Sequence, residues 1–175
     1  MIRPLALLTC LPLAAFAAGE DPTPPVQTQT SADCTGAQVW DDTHQACVDS
    51  RDSRLDDATR IDAARELVAY DRPADALRVL AAVTRANTPE VLTLRGFATR
   101  KAGDFDAGRA LYEAALDIDP DYRLARSYLG QGLVEQGDAD GARLQLAMIR
   151  QAGGRGTWAE TSLAEALRTG RGYSH

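Results

Sequence analysis

Residues 89–122 read PEVLTLRGFATRKAGDFDAGRALYEAALDIDPDY, and residues 123–154 read RLARSYLGQGLVEQGDADGARLQLAMIRQAGG. Laid one over the other, Gly96 falls on Gly130, Gly103-Asp104 on Gly137-Asp138 and Gly108 on Ala142, each at an offset of 34 residues. A fixed period of this length marks a stacked array, in which one supersecondary unit recurs because it cannot bury its apolar face alone. Inside each unit the apolar residues recur at helical spacing, with no strand-like alternation. Thr88-Pro89-Glu90 supplies an N-cap, a first-turn proline and an early acid, Gly103-Asp104 separates two helices, and Pro120 after Asp119 ends the second. Each unit is therefore a pair of antiparallel helices. Small residues, Gly96 facing Gly108 and Gly130 facing Ala142, let the two helices approach, and larger side chains fill the remaining gaps.

Leu92, Gly96, Gly103-Asp104, Gly108, Tyr112, Ala115 and Asp119-Pro120 stand at the spacing of the tetratricopeptide repeat, and Leu129-Gly130, Gly137-Asp138, Ala142, Leu146 and Ile149 follow it again. Over these two units the chain resembles that family. Upstream, Asp57 to Thr88 threads as a divergent unit with Ala64, Leu67, Ala76, Leu80 and Val83 in the packing roles. There the interval from Ala76 to Gly108 is 32, and Asp71-Arg72-Pro73 replaces the small-residue turn. Such drift is expected of a terminal unit, which lacks a neighbour on one side. Downstream, Thr157-Trp158-Ala159-Glu160 has the form of a capping box and opens a helix that Gly170 ends. About seven helices follow Asp57. The expected fold is all-α: a short solenoid of about three helix pairs plus a capping helix over residues 56–169, with a tail over 170–175.

The N-terminal third has a different texture. Met1, Ile2 and Arg3 precede an apolar run that ends in Ala15-Phe16-Ala17, the pattern of a secretory signal peptide over residues 1–17. Cys10, after Leu7-Leu8-Thr9, stands too early for a lipoprotein signal. Residues 18–32, with three prolines and little to bury, read as a disordered linker. Residues 33–55 hold Cys34 and Cys47 with twelve residues between them, in a chain addressed to an oxidising compartment. A disulfide-bridged module is expected. A metal site there lacks ligands, since His44 is the one other soft ligand nearby. The expected location is periplasmic or secreted. An alanine-rich chain whose one lysine is Lys101 fits a high-GC bacterial genome.

Cleavage after Ala17 removes Arg3 and leaves 18 basic against 25 acidic residues, a formal charge of −7. That acidity argues against nucleic acid and anionic lipid as partners. After the signal no segment is apolar enough to span a membrane. Catalytic residues are scarce: His44 and His175 are the two histidines, and Gly153-Gly154-Arg155-Gly156 follows a helix rather than a strand, so it is no phosphate loop. No cofactor or metal is implied.

What the resemblance implies is a protein or peptide partner held on a concave face lined by the first helix of each pair. By that register the face takes Arg65 and Val68 from the first unit, Thr93, Phe97, Arg100 and Lys101 from the second, and Ser127, Gln131, Val134 and Glu135 from the third. Phe97 beside Arg100 and Lys101 would form a mixed apolar and cationic patch suited to an extended peptide with an acidic group. Thr93 and Phe97 occupy two places where members that grip a terminal carboxylate carry polar clamp residues, so that specificity is not expected. Tyr112, Tyr128 and Trp158 recur at helical packing spacing and are expected in the core. The alternative reading gives the Cys34–Cys47 module the active role, with Trp40 stacking on cell-wall glycan and the helices as support.

Overall fold

Two helix pairs repeat in space at the interval at which their residues repeat in sequence. The computed structural model describes residues 24–173, and among them runs the order α1 (Gln29–Ala32), β1 (Gln38–Asp41), β2 (Ala46–Asp49), α2 (Asp57–Ala69), α3 (Pro73–Leu80), α4 (Pro89–Lys101), α5 (Phe105–Ile118), α6 (Arg123–Glu135), α7 (Ala139–Gln151) and α8 (Trp158–Thr169). The pairs α4–α5 and α6–α7 begin 34 residues apart, and the seven helices from Asp57 onward match the expected number. The signal peptide and residues 18–23 of the linker lie outside the described residues.

The turns inside the pairs share one construction. Gly103 and Gly137 adopt left-handed backbone, at φ +104° and +81°, and the next residue caps the following helix. Asp104 Oδ1 accepts from Ala107 N–H at 3.0 Å, and Asp138 Oδ1 accepts from Gly141 N–H at 2.8 Å. In the first pair Asp71 takes the glycine's place at φ +59°, a conformation that Asp tolerates better than most residues. Arg72 takes the cap's place and makes no capping bond. Its guanidinium instead donates to the Cys34 carbonyl at 2.8 Å and the Gly36 carbonyl at 3.0 Å.

Arg72 thus reveals what the first pair packs against. The Cys34–Cys47 disulfide closes a small antiparallel hairpin in which Val39 pairs with Val48, and both valines are buried in the core shared with α2. Arg60, itself buried, donates from Nε to the Ser50 carbonyl at 2.7 Å and from Nη2 to the Asp52 carbonyl at 2.9 Å. Glu66 accepts from the backbone N–H groups of Thr28 and Ser31, at 2.7 and 3.0 Å, and from both hydroxyls. The module is the N-terminal cap of the solenoid, covering the apolar face that a preceding repeat would cover. These bonds correct the linker expectation: from Thr28, which N-caps α1, the segment is fixed to α2, because a buried carboxylate needs donors and Thr28 and Ser31 supply them.

The helical core runs continuously from the cap to α8, with Leu67, Val79, Leu94, Phe97, Tyr112, Tyr128, Ile149 and Leu163 fully or almost fully buried. Cross-linking Cys34 to Cys47, 13 positions apart, is worth about 3 kcal/mol by loop closure. Reduction, or Cys34→Ser with Cys47→Ser, is accordingly expected to raise hydrogen exchange at Val39 and Val48 by about two orders of magnitude. Amides of α6 and α7 should be unaffected. Unchanged exchange in the hairpin would show that its packing on α2, not the bridge, holds it.

Candidate functional site

The first helices α2, α4 and α6 lie side by side and α8 continues the row, so their shared face is the concave face of the array. Two of the expected site residues stand at its edges: Arg65 is held by Glu90, Nη2 to Oε1 at 2.9 Å, and Lys101 is half-buried in the last turn of α4. Thr93, Phe97, Ser127 and Gln131 are fully buried, as is Val68, and Arg100 is 5% exposed. The mixed surface patch expected of Phe97, Arg100 and Lys101 therefore does not exist as such. Phe97 stacks on Tyr128, ring centroids 4.3 Å apart and planes 20° from parallel, and belongs to the core.

Arg100 is buried beside that stack. Its Cζ lies 5.4 Å from the Phe97 ring centroid, its Nη1 pairs with Glu135, and its Nε is 3.5 Å from the Tyr112 hydroxyl. Burial works against the guanidinium's charge, but the hydroxyl oxygen of Tyr112 beside its Nε and the Glu135 carboxylate on its Nη1 favour the charged form and hold its pKa above the ordinary value. Burial also raises both phenols, Tyr128 to about 12, so both stay neutral in any physiological setting. Toward α8 the face turns polar. Ser127 and Ser162 hydroxyls are 3.0 Å apart, and Gln131 Nε2 donates to Ser127 Oγ at 3.1 Å and to Ser162 Oγ at 3.3 Å.

What lies over these residues is the chain's own tail. Gly170 ends α8 in left-handed backbone, and the chain then crosses back over the face. Tyr173 N–H donates to Gln131 Oε1 at 2.7 Å, and its ring meets Trp158 edge-on with centroids 4.8 Å apart. Gly172 passes so close to the Arg100–Glu135 pair that a Cβ there would stand 3.0 Å from Glu135 Cδ and 3.1 Å from Arg100 Nη1. Burial, with Tyr128 and Tyr70 nearby, pushes the Tyr173 phenol upward. Ser162, Trp158 and Tyr173 were absent from the expected site. Ser162 was within reach, standing 35 residues after Ser127 where α8 prolongs the array, whereas Arg171-Gly172-Tyr173 has no period to place it.

A second concavity, of about 460 Å³, lies at the other end, between Pro24–Val26, Trp40 of the hairpin and Asp62, Arg65 and Glu66 of α2. Trp40 is half-buried in its wall. His44 at the hairpin turn is exposed and joined to Asp41, Nδ1 to Oδ2 at 2.7 Å, which fastens the turn. Among the described residues no group of three His, Cys, Asp or Glu side chains could hold a metal ion, and no helix is long and apolar enough to cross a membrane.

Antiparallel helix pairs stacked with their first helices along one face define the class of α-helical repeat solenoids. The family model for the tetratricopeptide repeat matches residues 100–167, from the last turn of α4 into α8, and over this stretch the chain carries tetratricopeptide repeats. Repeats of this family generally mediate protein–protein interaction and are typically non-enzymatic. Neither the curated proteins nor the solved structures gave a match.

Proposed function

We propose that this protein is a non-enzymatic scaffold of the bacterial periplasm that holds an extended segment of a protein partner on its concave face. The observation that carries this reading is the polar row Ser127–Gln131–Ser162 beside the Arg100–Glu135 pair. Buried polar side chains on one face, already meeting a peptide backbone at Gln131 Oε1, suit recognition of main chain better than catalysis. Export is supported by residues 1–17 and by a disulfide-closed cap, which persists only under oxidising conditions.

The test is crosslinking capture from an envelope fraction, comparing wild type with a Gln131→Ala, Lys101→Glu variant. Both substitutions leave Phe97 and Tyr128 in place, and far-ultraviolet circular dichroism checks that the variant is folded. Loss of at least one partner is expected, and identical partner lists would remove the concave face from consideration. The second reading, glycan binding, is favoured by Trp40 in the wall of its cleft. It predicts that sedimentation with purified peptidoglycan is abolished by Trp40→Ala and untouched by Gln131→Ala.

A further inference from the structure

We propose that the concave face is a peptide groove closed by the chain's own C-terminal tail, and that a partner enters by exchange with residues 171–173, presenting an extended segment in which an aromatic residue follows a glycine. This rests on the concave-face reading above and says what occupies the face at rest and what chemistry replaces it.

The tail already docks as a peptide ligand does. Its backbone N–H at Tyr173 meets an acceptor that is itself fully buried, Gln131 Oε1, whose amide nitrogen is held from behind by Ser127 and Ser162. One aromatic ring, Tyr173, sits edge-on against Trp158. The residue before it has no side chain, which lets the backbone pass over the Arg100–Glu135 pair. A backbone donor, an aromatic and a preceding glycine are thus the features the face selects. Beside the tail, Arg100 Nη2 is buried and has no hydrogen-bond partner among the described residues.

The attachment is of a kind that can exchange. Beyond Gly170 the described tail is three residues, with Arg171 exposed and Gly172 and Tyr173 half-buried, so little is ordered and little is lost on release. A tethered segment competes at an effective concentration on the order of millimolar. A partner's apparent affinity is therefore reduced by the fraction of molecules whose groove stands open.

The probe is the peptide acetyl-Thr-Gly-Arg-Gly-Tyr-amide, titrated into the full chain carrying Trp40→Phe, which leaves Trp158 as the sole tryptophan. Adding Tyr173→Ala should shift Trp158 emission to the red, and the peptide should reverse the shift with at least ten-fold tighter binding than to the chain with its own Tyr173. A peptide ending in Ala should not reverse it. Gly172→Val, whose Cβ would run into the Arg100–Glu135 pair, serves as the second variant and should behave alike; far-ultraviolet circular dichroism checks that each is folded. Equal peptide affinity with and without Tyr173, or an unmoved Trp158 emission in both variants, overturns the proposal. Envelope partners still lost on Gln131→Ala would then leave the concave-face reading standing. Peptide exchange without any partner loss would mean the converse.

Discussion

Phe97→Ala is expected to lower the stability of the solenoid by about 3–5 kcal/mol, the range for truncating a fully buried phenylalanine. Phe97 has no exposed surface, and its ring stacks on Tyr128 at 4.3 Å with the Arg100 guanidinium at its edge of the core. Removing the ring leaves a cavity between α4 and α6 that neither helix can close, because each is also packed against its own partner helix, α5 or α7. It also strips Arg100 of the aromatic face that helps to accommodate a buried charge. A domain of this size commonly has about 5–15 kcal/mol in all, so the variant should sit near the edge of folding. Phe97→Leu keeps most of the volume and should cost under about 2 kcal/mol. Guanidinium titration followed by circular dichroism measures both. A loss below about 1 kcal/mol for the alanine would place the ring on the binding surface after all.

The helices, their order and the interval between pairs were legible because each rests on local chemistry: Thr88, Asp104 and Asp138 as caps, Gly103 and Gly137 as left-handed turns. Even the irregular first pair carried a readable message. Asp71 keeps the turn, while Arg60, Glu66 and Arg72 are charged residues facing inward, and what they face is the disulfide cap. As tethers they explain why the cap stays attached to the first pair. The hairpin had a faint signal, two four-residue runs with Val39 and Val48 at mirror positions about a polar turn, too short to assert a strand. The site was least legible. Register alone puts Thr93, Phe97, Ser127 and Gln131 on the first helices of their pairs, where all four are buried, but whether a face is open depends on what crosses it. Tyr173, 42 positions from Gln131, returns over it without any repeat to announce the contact.

Gly108→Val, and equally Gly96→Val, is expected to cost about 3 kcal/mol or more, the upper end of overpacking penalties. The reason lies in which atoms stand in the way. A Cβ on Gly108 would meet the Gly96 carbonyl oxygen at 2.8 Å and the Arg100 backbone nitrogen at 3.1 Å; one on Gly96 would meet the Gly108 carbonyl oxygen at 2.9 Å and the fully buried Tyr112 ring at 2.7 Å. Three of these four are main-chain atoms of α4 and α5 and the fourth belongs to a fully buried ring, so relief requires the two helices to part and carry their packed neighbours with them. Helix propensity acts in the opposite direction, since alanine is favoured over glycine by about 1 kcal/mol in a helix interior. The alanine variants at Gly96 and Gly108 should therefore still be net destabilising, by about 1–2 kcal/mol. Gly130 separates the two effects. Its Cβ would meet the tips of Leu163 at 2.7 and 2.8 Å and Gln145 Cβ at 3.3 Å, side-chain atoms of which the leucine methyls can rotate away. Gly130→Ala should thus fall within about 1 kcal/mol of wild type, propensity offsetting a small rearrangement. Thermal and guanidinium midpoints of the three alanine variants decide it. Equal losses at Gly96, Gly108 and Gly130 would mean that glycine serves the pairs through helix geometry alone, whereas a loss confined to Gly96 and Gly108 locates the close backbone approach that fixes the angle of the α4–α5 pair.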